Sequence, residues 1–111
     1  MNFIVESLAK KQLYDIFYYN SQYSLKNAFN IEYSITENIK NLEFFPYLGR
    51  NIPEISDKHF REIIYYKNKR NGYRIMYYIH NYTSTIRVFN IISCKQDFNS
   101  ILATYDYFKK F

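Results

Sequence analysis

The cationic side chains of this sequence are concentrated in one segment. Residues 58–74 contain six lysine or arginine residues and a single carboxylate, so this segment carries the whole net charge of +5. The six are Lys58, Arg61, Lys67, Lys69, Arg70 and Arg74, and the carboxylate is Glu62. A basic focus on a nearly neutral remainder indicates an anionic partner, which is RNA, DNA or an acidic protein segment. The alternative is that a basic hairpin forms a solvated edge of the fold.

Side chains suited to other kinds of site are few. The sequence has one cysteine, Cys94, and two histidines, His59 and His80, without metal-ligand spacing. A metal site needs three or four converging ligands, so we predict neither a metal nor a cofactor. A Cys94–His nucleophile pair is conceivable, but a lone cysteine after a strand is more often a small, semi-buried residue. Two glycines are too few for a phosphate-binding loop.

Aromatic residues are abundant, with 14 tyrosines and 10 phenylalanines. Their interleaving with cations in residues 65–70 would suit stacking on single-stranded nucleic acid. Tyrosines also fill strands because they fit pleated, half-buried surfaces, and we prefer this interpretation for most of them since they occur throughout the chain.

Two helices are predicted in the first half of the chain. Residues 2–6 predict a short strand, and Ser7 is a plausible N-cap for a helix that ends near Asn20. Ser24 is a second N-cap candidate, and a long amphipathic helix follows over about residues 24–43. Its apolar stripe comprises Leu25, Ala28, Ile31, Ile35, Ile39 and Leu42. A linker of about four residues makes the two helices an antiparallel hairpin.

Strands dominate the second half. Residues 44–57 predict a loop, and three strands follow at His59–Lys67, Tyr73–His80 and Thr85–Ile92. Asn71-Gly72 indicates a tight turn between the first two of these strands. Alternation places Tyr73, Ile75, Tyr77 and Ile79 on one face of the second strand and Arg74, Met76, Tyr78 and His80 on the other. Residues 98–109 have the spacing of an optional terminal helix.

These elements predict a single α+β domain over residues 1–111. A short N-terminal strand precedes an α-helical hairpin, which packs on a three- to four-stranded antiparallel sheet. The longest apolar runs are too short for a membrane span, and the first residues lack the pattern of a secretory signal. A small cytoplasmic domain without a membrane partner is the expectation.

Several short motifs are distributed along these elements. They are residues 9–16 (AKKQLYDI), Ala28, Leu42 followed by 45–50 (FPYLGR), 61–63 (REI), 72–77 (GYRIMY) and 91–97 (IISCKQD). In order and spacing they resemble the RelE/ParE superfamily of bacterial toxins from type II toxin–antitoxin pairs. In the last motif, Ser93 and Gln96 stand where many members have histidine and arginine, and Lys95 is adjacent.

The resemblance implies one enzymatic mechanism, a metal-independent, ribosome-dependent cleavage of mRNA. The resemblance places Arg61 and Arg74 at two of the positions that such ribonucleases use, and Lys95 next to the third. Arginine keeps its proton in proteins, so Arg61 and Arg74 would bind phosphate and stabilise charge. Acid–base work would fall to a tyrosine, histidine or lysine, and the candidates are Tyr78, His80, Lys95 and Tyr105. Phosphate or nucleic-acid binding is expected at Arg50, Lys67, Lys69 and Arg70.

The resemblance implies a second, non-enzymatic mechanism, in which ParE-type members bind DNA gyrase and trap it on DNA. The helix-hairpin ending and the altered final motif look more ParE-like, so a gyrase inhibitor neutralised by a cognate antitoxin in a hetero-oligomer is the leading prediction. The alternative is a RelE-like mRNA endoribonuclease that acts on the ribosome. A nucleic-acid-binding module unrelated to toxins is the third hypothesis. An apolar surface for the missing partner is expected on the helix hairpin or at a sheet edge.

Overall fold

The computed structural model of the chain describes residues 1–95, which form two helices on one face of a five-stranded sheet. The elements in chain order are β1 (Asn2–Val5), α1 (Ser7–Ser21), α2 (Leu25–Asn41), β2 (Arg50–Asn51), β3 (Phe60–Tyr66), β4 (Gly72–His80) and β5 (Thr85–Ser93). A short 3₁₀ turn over Asn81–Thr83 joins β4 to β5. The predicted α+β class and order of elements are confirmed, and the predicted helix over residues 98–109 lies outside the described residues.

The sheet has the strand order β1-β5-β4-β3-β2 and differs in two respects from the predicted three- to four-stranded antiparallel sheet. β1 runs parallel to β5, because the helix hairpin intervenes and no tight turn dictates the direction of β1. β2 is an additional strand within the expected loop, where Arg50 pairs with Glu62 and Asn51 with Arg61. Two residues are too few to produce a detectable alternation in the sequence.

The two helix starts differ in their capping. Ser24 caps α2 as predicted, since its side-chain oxygen accepts a hydrogen bond from the Asn27 amide at 3.2 Å. Ser7 is instead the first residue of α1, and Glu6 occupies the N-cap position without a side-chain cap. The α2 stripe from Ala28 to Leu42 is buried as predicted, whereas Leu25 in the first turn is 58% exposed. Leu25 lies three positions before Ala28, the first buried residue of the helix.

Apolar side chains form two clusters, one on each face of the sheet. The helix-facing cluster joins Ala9 and the α2 stripe from Ile31 onward to Ile75, Tyr77 and Ile79 of β4. The cluster on the opposite face contains Ile52, Ile55, Phe60, Met76, Phe89 and Ile92. The alternation predicted for β4 is therefore confirmed. Ile52 and Ile55 show that the segment after β2 covers part of the face that the helices leave open.

The turn between β3 and β4 is wider than the tight turn predicted at Asn71-Gly72. The Lys67 and Asn68 amides both donate to the Asn71 carbonyl, and the Asn68 side chain accepts bonds from the Arg70 and Asn71 amides. Gly72 already belongs to β4 and does not have a positive φ. A Cβ atom there would lie 3.0 Å from the Tyr65 carbonyl oxygen and 3.1 Å from the Cys94 sulfur, so close packing favours glycine at this position.

No helix within residues 1–95 is long and apolar enough to span a membrane.

Candidate functional site

Arg74, the last cation of the basic segment, is bound on two sides by carboxylates. Its Nη1 and Nη2 atoms donate to the two carboxylate oxygens of Glu54 at 2.8 and 2.6 Å, which is a bidentate pair. Its Nε donates to Glu62 Oε1 at 2.8 Å. The Arg74 side chain is only 9% exposed, so most of its hydrogen-bonding capacity is directed at the protein itself.

Glu62 connects Arg74 to a second cation at the sheet edge. Its Oε2 accepts a bond from Arg50 Nε at 2.9 Å and lies 2.7 Å from Arg50 Nη2, while the Glu62 side chain is fully buried. The Arg50 side chain is 56% exposed at the other end of this pair. We call Arg50, Glu54, Glu62 and Arg74 the carboxylate–arginine network. Neither glutamate was a predicted site residue, although Glu62 was visible as the one acid among six cations.

The network shifts the pKa values of Glu54 and Arg74. Hydrogen bonding to Arg74 is the main cause that lowers the pKa of Glu54 below its ordinary value, against an opposing effect of burial. Hydrogen bonding to Glu54 is likewise the main cause that raises the pKa of Arg74, with a further contribution from Glu62. Both groups are therefore held in their charged forms, and neither is poised to transfer a proton near neutral pH.

Arg61 lies on the opposite face of the sheet from Arg74. Arg61 pairs in register with Tyr77, whose side chain packs in the helix-facing cluster, so Arg61 lies on the helix-facing side. Arg74 instead bonds to Glu62 on the other side of the sheet. Arg61 Nε donates to the Gly49 carbonyl at 2.8 Å, and its Nη1 donates to Asn51 Oδ1 at 2.9 Å. Its guanidinium also stands over the Tyr47 ring at 5.2 Å. Arg61 thus fixes the segment that leads into β2.

Tyr77 also bonds to the segment that leads into β2. Its buried hydroxyl donates to the Pro46 carbonyl at 2.7 Å and accepts from the Gly49 amide at 3.0 Å. Burial is the main cause that raises the pKa of this phenol, so it stays neutral. The sequence had placed Tyr77 on the same strand face as Ile75 and Ile79, and its polar role depends on the contact with Gly49. A Cβ atom on Gly49 would lie 2.5 Å from the Glu62 carbonyl oxygen, which explains the glycine.

The acid–base candidates Tyr78 and His80 stand together at the far end of β4. Their rings are 5.7 Å apart, and the Phe60 ring lies 4.6 Å from that of Tyr78. His80 Nδ1 lies 2.8 Å from Thr83 Oγ1 and accepts a bond from the Thr83 amide at 3.3 Å, which caps the 3₁₀ turn. This nitrogen is engaged in the backbone turn.

Lys95 lies at the other end of the sheet. The preceding residue, Cys94, donates its amide to the Gly72 carbonyl at 3.0 Å, so the chain leaves β5 beside the start of β4. Gly72 and Tyr78 are six positions apart on that strand, which corresponds to roughly 20 Å. Lys95 is therefore remote from Tyr78 and His80. The remaining acid–base candidate, Tyr105, lies outside the described residues.

Lys95 instead shares a cleft of about 590 Å³ with Lys67. The cleft lies between α1 and the ends of β4 and β5, and its walls include Gln12, Asp15, Tyr19 and Tyr73. Lys67 Nζ donates to Asn20 Oδ1 at 2.8 Å, which ties the β3–β4 hairpin to the end of α1. Lys69 and Arg70 are exposed at the tip of this hairpin.

The site residues predicted from the sequence thus fall into separate groups. Arg50 and Arg74 share the carboxylate–arginine network, Arg61 lies on the other face, Tyr78 and His80 lie at one end of the sheet, and Lys67 and Lys95 lie at the other. Within residues 1–95 no three His, Cys, Asp or Glu side chains are placed to hold a metal ion. These groups are too far apart for their side chains to surround one scissile phosphate, whereas the exposed cations among them can contact an extended anionic surface.

The helix hairpin carries the apolar surface that was expected for a partner. Six aromatic side chains on α1, α2 and their linker are each more than half exposed. They are Tyr14, Tyr18, Tyr19, Tyr23, Phe29 and Tyr33. Contiguous exposed apolar patches mark protein-binding surfaces, so these side chains are candidates for a contact with a partner.

Comparison with known proteins gives the family. None of the curated proteins matches this sequence. A family model described as the ParE toxin of the type II toxin–antitoxin system parDE matches residues 3–98, nearly the whole length of the chain, and the chain belongs to that family.

Proposed function

We propose that this toxin acts by inhibiting DNA gyrase and that it does not cleave RNA. The observation that carries the proposal is the placement of Arg61 and Arg74 on opposite faces of the sheet. A ribonuclease of the RelE type would require both arginines at one phosphate, together with an acid and a base. Binding to a protein target requires none of these side chains to converge.

The exposed cations of the hairpin support a target that works on DNA. Lys67, Lys69 and Arg70 form no ion pair within residues 1–95, and no carboxylate occurs between residues 63 and 96 of the sequence. We refer to these three cations as the hairpin tip. In a gyrase complex the tip would face the phosphates of the DNA that the enzyme holds. Arg50 is half exposed but shares its charge with Glu62, so it contributes less.

Membership of the family implies a cognate antitoxin that keeps the toxin inactive. We propose that the two proteins form a hetero-oligomer and that the aromatic surface of the helix hairpin is part of the contact. Burial of such rings favours binding by roughly 25 cal/mol for each Å² removed from water, before the costs of association are subtracted.

Two assays on the purified chain test the proposal. The first measures supercoiling and DNA cleavage by gyrase with increasing toxin, and we expect supercoiling to fall and cleaved DNA to accumulate. The second maps mRNA ends in a translation reaction with and without ribosomes, and we expect intact mRNA. New ribosome-dependent mRNA ends together with unaffected gyrase would overturn the proposal and establish the ribonuclease alternative.

A further inference from the structure

The first strand, β1, forms one end of the sheet and contains no charged side chain. The strand order places β1 at one end and β2 at the other. Lysine or proline within an edge strand opposes pairing with another chain. β1 has the sequence NFIV and contains neither. Nothing in its sequence therefore opposes the addition of a further strand.

Hydrogen-bond parity shows which backbone groups of β1 point outward. The strand runs parallel to β5, and the Glu6 amide donates to the Val88 carbonyl at 2.9 Å. The even-numbered residues of this segment therefore bond to β5, because the bonds of a parallel pair involve alternate residues. The N–H and C=O groups of Phe3 and Val5 consequently point away from the sheet. No residue in the range 1–95 bonds to them.

These outward groups are complementary to the same groups of a second copy. When two β1 strands run antiparallel about a two-fold axis at Ile4, Phe3 of each copy lies opposite Val5 of the other. In such a pair each residue donates its N–H to the other and accepts at its C=O, so all the outward groups of Phe3 and Val5 are satisfied. The contact is self-complementary, as a two-fold interface requires.

Side chains on the face away from the helices fit the same register. Phe3 and Val5 pack in the helix-facing cluster, so Asn2, Ile4 and Glu6 lie on the other face. The two Ile4 side chains, each 44% exposed, meet at the axis and bury apolar surface. Asn2 lies opposite Glu6 of the second copy, and its exposed amide can donate to that carboxylate.

The distribution of charge favours a second copy of this basic chain at β1. The strand order gives three spacings between β1 and β3 in each copy, and one more joins the copies. The two β3 strands, which lead into the hairpin tips, are then about 34 Å apart, whereas the Debye length is about 8–10 Å in physiological salt. Pairing at the β2 end would instead bring the cations of the two copies together. An acidic partner would find no cation within β1 to bind.

We propose that this chain forms a symmetric dimer in which two β1 strands pair antiparallel and join the two sheets into one. The inference goes beyond the proposed function and does not depend on the target. A contact through one short strand is smaller than a standard interface, which buries about 800 Å² on each side, so the dimer should dissociate on dilution. The hairpin tips remain exposed at the two far ends of the joined sheet.

Sedimentation equilibrium and amide hydrogen exchange of the purified chain, over a range of concentrations, test the contact. We expect the mass to rise from monomer to dimer and the Phe3 and Val5 amides to exchange at least about tenfold more slowly in the dimer. The Ile4 amide, which bonds to β5, is the internal control.

Three results of this experiment would overturn the proposal. The first is a monomer at every concentration, including one whose Phe3 and Val5 amides become protected only when antitoxin is added. The second is a dimer in which these two amides exchange as they do in the monomer. The third is protection that does not change with concentration, since residues 96–111 of the same chain would then cover the edge.

Charge placed at the two-fold axis tests which side chains meet there. We expect Ile4→Lys and Ile4→Glu each to weaken dimerisation at least about tenfold, because like charges are brought together. A mixture of the two variants should dimerise again, since the charges at the axis are then opposite. Leu25→Lys is the matched control, because it makes the same change at a side chain of α2 that is 58% exposed. Equal losses in Ile4→Lys and Leu25→Lys, or no dimer in the mixture, would overturn the assignment to β1.

Discussion

Arg74 on β4 and Glu54 in the segment after β2 form a two-pronged hydrogen-bonded ion pair across 20 positions of sequence, at 2.6 and 2.8 Å. Together with the bond from Arg74 to Glu62, it fastens that segment to the face of the sheet opposite the helices. Ile52 and Ile55 pack against Met76 beneath the same segment. Arg74, which belongs to the basic segment of the sequence, thereby has a structural role in the fold.

Arg74→Ala should destabilise the protein by about 3–5 kcal/mol, because it leaves the buried Glu62 with one cationic partner and Glu54 with none. Urea unfolding followed by circular dichroism measures the change. Lys69→Ala is the control, since an exposed cation without a carboxylate partner should alter stability by no more than about 0.5 kcal/mol. Equal stability of Arg74→Ala and wild type would contradict a structural role for the network.

Stability should fall in acid partly through Glu54. Its pKa in the folded state lies below the ordinary value of 4.5, so the ionised carboxylate contributes stability that is fully present above pH 4.5. This contribution is lost as the pH falls below 4.5 towards the lowered pKa. Thermal unfolding between pH 7 and pH 3 measures the effect, and Glu54→Gln should be less stable at pH 7 with a shallower decline in acid. A parallel decline in both proteins would show that other carboxylates dominate.

The helices and the alternation of β4 could be predicted because each obeys a local period. The apolar residues of the Ala28–Leu42 stripe repeat at helical spacing. The side chains from Tyr73 to Ile79 alternate between the two apolar clusters, as the period of a strand requires. β2 could not be predicted, because a two-residue strand has no period. The wider hairpin turn could not be predicted either, because the Asn68 side chain and not the glycine organises it.

The separation of Arg61 from Arg74 could have been anticipated only in part. Alternation gave the face of each residue within its own strand, but the relation between the two strands depends on their register, which pairs Arg61 with Tyr77. The partnership of Arg74 with Glu54 depends on the path of an irregular segment. No sequence pattern encodes that path. The sequence therefore indicated fewer carboxylate partners for the basic segment than the fold provides.

Tyr77→Phe should cost about 1–3 kcal/mol without changing the shape of the core. The variant removes the hydroxyl that satisfies both the Pro46 carbonyl and the Gly49 amide, and an unsatisfied buried polar group carries a penalty of this size. Urea unfolding is again the measurement. Tyr33→Phe removes the hydroxyl of a side chain that is 68% exposed and should be close to neutral. Comparable losses in the two variants would contradict the role assigned to the Tyr77 hydroxyl.

The hairpin tip should contribute to gyrase inhibition through charge, with little effect on stability. Lys69→Ala with Arg70→Ala should raise the toxin concentration needed for half-inhibition, because the proposed complex places these two cations against DNA phosphates. Each lost phosphate contact should also reduce the slope of log inhibitory potency against log salt concentration by about one. Supercoiling assays over a range of potassium concentrations measure both quantities.

The control for this prediction is Lys10→Ala with Lys26→Ala, which removes the same charge from exposed positions on the helices. A tip that contacts DNA directly requires the hairpin variant to lose potency and salt dependence while the helix variant retains both. If the two variants lose potency equally, the net charge of the toxin governs its association with the gyrase–DNA complex, and the tip has no special contact. The location of the positive charge, which the fold concentrates at one hairpin by pairing Arg74 and Arg50 with carboxylates, is what this comparison isolates.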